Sequence, residues 1–273
     1  MALRAFDVSS WGFFRISGPD ARKFLQGLMT ADLGGLSPGK CLPSCLLTPK
    51  GLLVADCELY EEAPGIVLAV TRPGAAVGFL AALDKKIMLS DSMLKALRSQ
   101  QAWLVIGEGF DRGLPWARLA EPARLLLGVD PPEEADFMSD SEFEAVRVAS
   151  GFPWFGADMN GETLPLEARQ EAAISMDKGC YMGQETVSRI VHRGHVNKIL
   201  MGIRFAGEPA PAGSVVLRGE RAVGHVTSSV GSLGLGMIRY DDAVAGARVS
   251  ADGRDGELFL FSSWPKPLSG SSS

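Results

Sequence analysis

Cysteine is scarce in this chain: Cys41, Cys45, Cys57 and Cys180 are the only four in 273 residues. Four are too few for a disulfide scaffold, and a reducing compartment keeps them as thiols. Cys41 and Cys45 stand four apart with no further ligand type beside them, so the pair reads as structural rather than metal-binding. Long apolar runs are missing too. None reaches the roughly 18–20 residues that cross a bilayer. The opening MALRAFDVSSWGFFRISGPD has no apolar core of a signal peptide, and charges interrupt it early. Basic charge is not in excess: 27 Lys and Arg face 32 Asp and Glu, for a net charge of −5. Such a chain has no global electrostatic footprint for nucleic acid or an anionic membrane. No repeat of solenoid length occurs. These absences predict a cytoplasmic protein with no membrane and no direct nucleic-acid partner.

What is present is a globular composition, 46% hydrophobic and 22% charged. WGFFRIS has the aromatic and β-branched content of a strand, and residues 21–29 have helical spacing. CLPSCLLTPKGLLVADCELY places two apolar runs around Thr48-Pro49-Lys50-Gly51, the pattern of a hairpin. GIVLAVT predicts a strand, ended by Pro73-Gly74, and residues 75–85 a helix. QAWLVIG and ARLLLGV predict two more strands. Ser139 and Glu142, three apart, predict a capping box opening a helix to about residue 148. SGFPWFGADMNGETLP reads as an irregular connection, residues 166–173 as helical, and GQETVSRIV as a further helix entered at Gly183. Beyond residue 198 the texture changes to short strand-like runs separated by Gly, Pro and Asp, as in a small β-barrel. The hairpin argues against a purely parallel sheet, so the fold class is α+β. The expected division is residues 1–198, an α+β domain of two subdomains; 199–267, a β-barrel; and 268–273, a flexible tail.

Two stretches carry chemistry. In KGCYMGQET, Cys180 lies two residues from Lys178 and just outside the expected positive end of a helix. A nearby cation and a helix N-terminus both favour the thiolate, the nucleophilic and ligating form. From the residues alone, the same cysteine reads more readily as a small buried hydrophobe. The glycines permit close approach of a ligand, but their spacing is not that of a phosphate loop. Glu185 either complements the helix dipole or contacts a ligand. His192 and His195 fall at the helix end and its exit turn, where solvated or structural roles fit. In LLVADCELY, Asp56 sits among apolar residues and must find hydrogen-bond donors or lose its charge. It either holds an N–H-rich heterocycle or satisfies a backbone turn.

The stretch from Lys178 to Glu185 resembles the signature K-G-C-[FY]-x-G-Q-E of the YgfZ-type folate-binding proteins, relatives of the glycine-cleavage T-protein (aminomethyltransferase). It matches at all seven fixed positions, and Arg189 and HRGHVNK match downstream. ISGPDARKFLQGLMTADL, LLTPKGLLVAD and GFPWFGADMNGETLPLEA resemble other parts of the family, so the likeness spans roughly residues 10–205. The resemblance implies a T-protein-like arrangement of three subdomains around a central folate pocket, the last a small β-barrel. It implies tetrahydrofolate as cofactor and a role in assembling or repairing iron–sulfur clusters, including those of tRNA-modifying enzymes. Folate and iron–sulfur proteins or their assembly machinery are then the partners. Cys180 and Lys178 become the expected catalytic pair, Lys178 depressing the thiol pKa. Asp56, Tyr181, Gln184, Glu185 and Arg189 become the expected folate contacts. Two alternatives stand beside this reading: an aminomethyltransferase, and a non-catalytic interaction scaffold. T-proteins carry two successive aspartates in the hairpin where this chain has Ala55-Asp56, and that departure argues against the first.

Overall fold

The computed structural model of the chain describes residues 2–98 and 100–264. Along it run β1 (Arg4–Asp7), β2 (Gly12–Ser17), α1 (Ala21–Gln26), β3 (Leu42–Leu47), β4 (Leu53–Ala63), β5 (Ile66–Thr71), α2 (Pro73–Ile87) and β6 (Met93–Ala96). Then come β7 (Ala102–Ile106), β8 (Leu114–Trp116), β9 (Ala123–Leu127), β10 (Asp136–Phe137), α3 (Asp140–Ala149) and α4 (Gln184–Arg193). The last strands are β11 (Lys198–Phe205), β12 (Val215–Arg218), β13 (Arg221–Val230), β14 (Leu233–Arg239), β15 (Arg248–Ala251) and β16 (Arg254–Phe259).

These strands form two open sheets and a closed barrel. The first sheet has the order β3-β4-β5-β2-β6 and the second β10-β1-β7-β9-β8. The alternation within β5 explains how they are joined. Val67 and Ala69 face α1 and α2, packing with Phe14, Ile16, Leu25, Phe79 and Leu83. Leu68 and Val70 face the other way, against Leu104, Ile106 and Leu125 of the second sheet. Side chains on a strand alternate faces, so an unbroken apolar run is what a sheet buried on both sides requires. The barrel, β11-β14-β13-β12-β15-β16, closes on itself, which removes its edges. The expected α+β class with a C-terminal β-barrel is therefore what the chain adopts. The tail expected at 268–273 lies outside the described residues.

Local signals mostly produced the expected elements. Ser139 and Glu142 form the capping box of α3: the Ser139 hydroxyl accepts from the Glu142 amide, and the Glu142 carboxylate accepts from the Ser139 amide at 2.7 Å. As expected, the strand β5 stops at Thr71, just before Pro73. Pro73 opens α2 at the first turn, where a missing N–H costs nothing. The helix expected over residues 166–173 does not form. Only a 3-10 turn at Glu171–Ala173 appears there, because Arg169 adopts φ 57°, a left-handed conformation that a helix cannot contain.

Candidate functional site

β4 brings Asp56 and Glu58 to one face, since residues two apart on a strand share a side. That face looks toward the second sheet, and both carboxylates are fully buried. Arg72, at the junction of β5 and α2, answers them. It donates to Asp56 at 2.6 Å and to Glu58 at 2.5 and 3.2 Å. Arg118, from the loop between β8 and β9, donates to Glu58 at 2.7 Å and to the Gln170 side chain at 3.0 Å. Trp11, Trp116 and Phe152 surround the Arg72 guanidinium with ring centroids at 5.6, 5.4 and 5.5 Å. Two carboxylates and two guanidiniums thus balance in an apolar shell. Burial pushes the Asp56 carboxyl up, and Arg72 opposes it; the paired carboxylates hold the Arg72 proton more firmly still.

Beside this cluster is a cavity of ≈ 100 Å³. Its walls include Pro43 of β3, Arg118, Phe152, Arg169 and Trp264, the last beyond the barrel's final strand. The first sheet, the second sheet's loops and the segment that leaves the barrel therefore all border it. Arg118 Nη2 and Arg169 Nη1 are buried and have no hydrogen-bond partner among the described residues.

The signature loop lies elsewhere. Lys178 is buried, and its ammonium donates to the carbonyls of Gln26, Met29 and Ala31 at 2.7, 2.8 and 2.7 Å. Burial pushes its pKa down to about 8, against the pull of Asp32. All three N–H bonds are engaged, so Lys178 is a pin between the loop and the segment after α1, and it makes no hydrogen bond to Cys180. Cys180 itself is exposed. Tyr181 is buried beneath the Lys178 ammonium, 5.3 Å from ring centroid to Nζ. Gly183 precedes α4 with φ 84°, and a Cβ there would meet the Thr48 carbonyl at 2.6 Å. Thr186 donates to the Lys50 carbonyl at 3.0 Å. The hairpin tip and the signature, 130 and more positions apart, are therefore packed into one unit.

The structure does not bring all the expected site residues together. Tyr181 and Gln184 meet, the Gln184 side chain accepting from the Tyr181 amide at 3.3 Å. Glu185 and Arg189 form an exposed pair one helical turn apart at 2.8 Å. Asp56 is sealed behind Arg72, and none of Asp56, Lys178, Cys180, Tyr181, Gln184, Glu185 or Arg189 lines the cavity. Sequence reasoning missed Glu58, Arg72, Arg118 and Arg169. Glu58 carried a signal, standing two residues from Asp56 on the same strand face; the arginines did not, as each arrives from a different segment. Among the described residues no group of three His, Cys, Asp or Glu side chains gathers as a metal site.

Comparison with known proteins defines the class. Residues 2–107 match the GCVT N-terminal domain, and residues 198–266 match the CAF17 C-terminal beta-barrel domain. The solved glycine cleavage system aminomethyltransferase T of Bartonella henselae superposes with a TM-score of 0.84, covering 98% of this chain and 87% of that one. At 17% identity this is a likeness of fold. The chain thus has an aminomethyltransferase T-like fold, with a GCVT N-terminal domain match and a CAF17-type barrel match. In sequence it is similar to YgfZ-type proteins. The tRNA-modifying protein YgfZ of Yersinia pestis is 26% identical over 98% of this chain and 93% of its own length. That of Yersinia enterocolitica is 25% identical over 78% and 74%. A putative chloroplastic transferase of Arabidopsis thaliana is 24% identical over 89% and 67%. No helix among the described residues is long and apolar enough to cross a membrane.

Proposed function

We propose that the protein binds a reduced folate, tetrahydrofolate or a derivative, and serves as an accessory factor in the assembly or repair of iron–sulfur clusters, including those of tRNA-modifying enzymes. The observation that carries the folate part is the cavity bordered by Arg118, Phe152, Arg169 and Trp264. Its ≈ 100 Å³ is the space of about three water molecules, room for one end of such a ligand. Basic walls from Arg118 and Arg169 and aromatic walls from Phe152 and Trp264 fit a ligand that is planar in one part and anionic in another. Tetrahydrofolate, when bound, supplies a carrier for one-carbon units. The chain's own residues bind and orient it: Arg118 donates from a position fixed by Glu58 and Gln170, and the Asp56–Arg72 pair holds the wall behind.

Cys180 is the proposed reactive or cluster-contacting thiol, and its exposure suits a group offered to a protein partner. Lys178 positions the loop that presents it. Gln184, Glu185 and Arg189 sit on or near the open face of α4, beside Cys180, where a partner protein reaches them more readily than a folate in the cavity. The aminomethyltransferase reading gains nothing from Asp56, whose Oδ2 is held by Arg72 in a fully buried pair; a general base must reach its substrate.

Calorimetric titration with tetrahydrofolate tests the proposal. Binding in the micromolar range is expected, and silence at high micromolar concentration sinks the folate reading. Restoring iron–sulfur enzyme activity in a deletion strain with Cys180→Ser tests the thiol; full rescue removes its role.

A further inference from the structure

β6 ends the first sheet and leaves an open edge, pairing among the described strands with β2 alone. The Leu97 amide donates to the Phe13 carbonyl at 2.8 Å, which gives the odd-numbered residues the main-chain bonds to β2. The N–H and C=O groups of Ser92, Leu94 and Ala96 therefore point to the open side, where they have no hydrogen-bond partner among the described residues. A row of this kind is a template for another strand. The side chains alternate likewise. Leu94 and Ala96 pack into the core beneath α1 and α2, while Asp91, Met93 and Lys95 are exposed. Lys95 stands directly across from Arg15 of β2, and Arg15 already pairs with Glu62. Like charges opposed across a ladder are unfavourable. Among the described residues neither Lys95 nor Asp91 has an ion-pair partner that would answer its charge. Met88, Leu89 and Met93 are 88%, 91% and 70% exposed, so the turn into β6 and the strand itself carry an apolar patch.

We infer that β6 is a docking edge for a second copy of this chain, the two strands running antiparallel about a twofold axis at Met93. The charges select this register. Centred on Met93, it sets Asp91 of each copy opposite Lys95 of the other. It also sets Ser92 opposite Leu94, whose open N–H and C=O groups then exchange hydrogen bonds. Centred on Leu94, the pairing leaves both charges unanswered; centred on Lys95, it sets the two lysines face to face. A lysine on a short edge strand ordinarily keeps copies apart, but here the aspartate two residues before the strand supplies the opposite charge. Met93 meets its own copy at a position without ladder hydrogen bonds, where side chains approach most closely. The contact is isologous, so it covers both β6 edges at once. β3, and with it the hairpin that packs on the signature loop, lies at the other edge of the sheet, so both copies of Cys180 stay open.

Sedimentation equilibrium of the full chain between ~1 and ~300 μM, the span of a weak interface, tests the pairing. A monomer–dimer equilibrium is expected, and a chain that stays monomeric throughout overturns the proposal with no variant needed. Asp91→Lys sets lysine opposite lysine, and Lys95→Asp sets aspartate opposite aspartate. Each alone is expected to dimerise at least about tenfold more weakly. An equimolar mixture of the two is expected to regain wild-type association, because every facing pair in the mixed dimer is then opposite in charge. That recovery requires Asp91 and Lys95 to face each other across copies. Both substitutions lie on the surface, and melting curves that match wild type establish that the variants fold. Weakening in each variant without recovery on mixing overturns the pairing, and so does a dimer indifferent to both substitutions.

Discussion

Arg72 Nη2 lies 2.6 Å from Asp56 Oδ2, and both side chains are closed off from solvent entirely. Removing either partner leaves the other charge stranded, but the two losses are unequal. Arg72 also serves Glu58, so Arg72→Met leaves two buried carboxylates facing one remaining guanidinium. A loss of ~3–5 kcal/mol in unfolding free energy is expected. Asp56→Asn keeps an acceptor for Arg72 and should cost less than half as much. Urea denaturation of the two variants compares them; an Arg72→Met chain within ~1 kcal/mol of wild type removes the cluster as a stabilising feature.

Lys178 and Cys180 should separate cleanly by experiment. Lys178→Met leaves three carbonyls without their donor and should lower stability by ~2–4 kcal/mol. Cys180→Ser, on the surface, should stay within ~0.5 kcal/mol. If both substitutions leave the melting temperature unchanged, the pin described for Lys178 does not operate.

A thiol reagent added to the native chain should modify one cysteine rapidly. Cys180 is exposed, Cys45 and Cys57 are buried, and Cys41 is intermediate. All four cysteines of the sequence should react after unfolding. Rapid reaction of two or more in the native state contradicts the packing of β3 and β4.

Gly183→Ala tests the junction of signature and hairpin. The new Cβ would stand 2.6 Å from the Thr48 carbonyl at a φ of 84°, so ~1–3 kcal/mol of destabilisation is expected. Gly179→Ala is the control, since no atom lies within 4 Å of a Cβ there. Circular dichroism melts of the pair give the comparison, and equal melting points defeat the argument.

Alkaline pH should weaken the fold through the buried thiols. Burial pushes Cys41 up to about 11 and Cys45 up to about 12. The folded chain therefore keeps these protons after the unfolded chain has begun to lose them near 9. Their stabilisation is whole below pH 9 and is lost progressively between 9 and 12. Lys178, pushed down to about 8, acts in the opposite sense between 8 and its ordinary 10.5, because the folded chain releases that proton first. Unfolding free energy measured from pH 8 to 11 should fall less steeply in Cys45→Ala than in wild type. A parallel slope means the thiol stays out of the linkage.

Much of this architecture was legible because its causes are local. The hairpin, the capping box at Ser139 and the strands of the barrel announce themselves within a dozen residues. Arg169 shows where reading along the chain stops. Its left-handed backbone is held by Leu200, Met201 and Trp264, all more than 30 positions away, and it removed a helix that spacing alone favoured. The buried cluster was half legible: Asp56 stood out among apolar neighbours, but its partners arrive from the start of α2 and from a loop sixty positions on. Gln184, Glu185 and Arg189 were grouped with Asp56 by the family resemblance. Helical spacing along α4 instead leaves Glu185 and Arg189 on the outer side, away from the cavity.

The three carbonyls around Lys178 bear on what a signature sequence records. A lysine recurring beside a cysteine invites the idea of a tuned reactive pair, yet here the lysine is a rivet and Gly183 a spacer. Most letters of the motif are thus constraints of carpentry, satisfied before any partner arrives. Relatives that exchanged the thiol for another side chain would still be built this way and would still be detected by the remaining letters, so inheritance of the shape and inheritance of the reactivity are separable events.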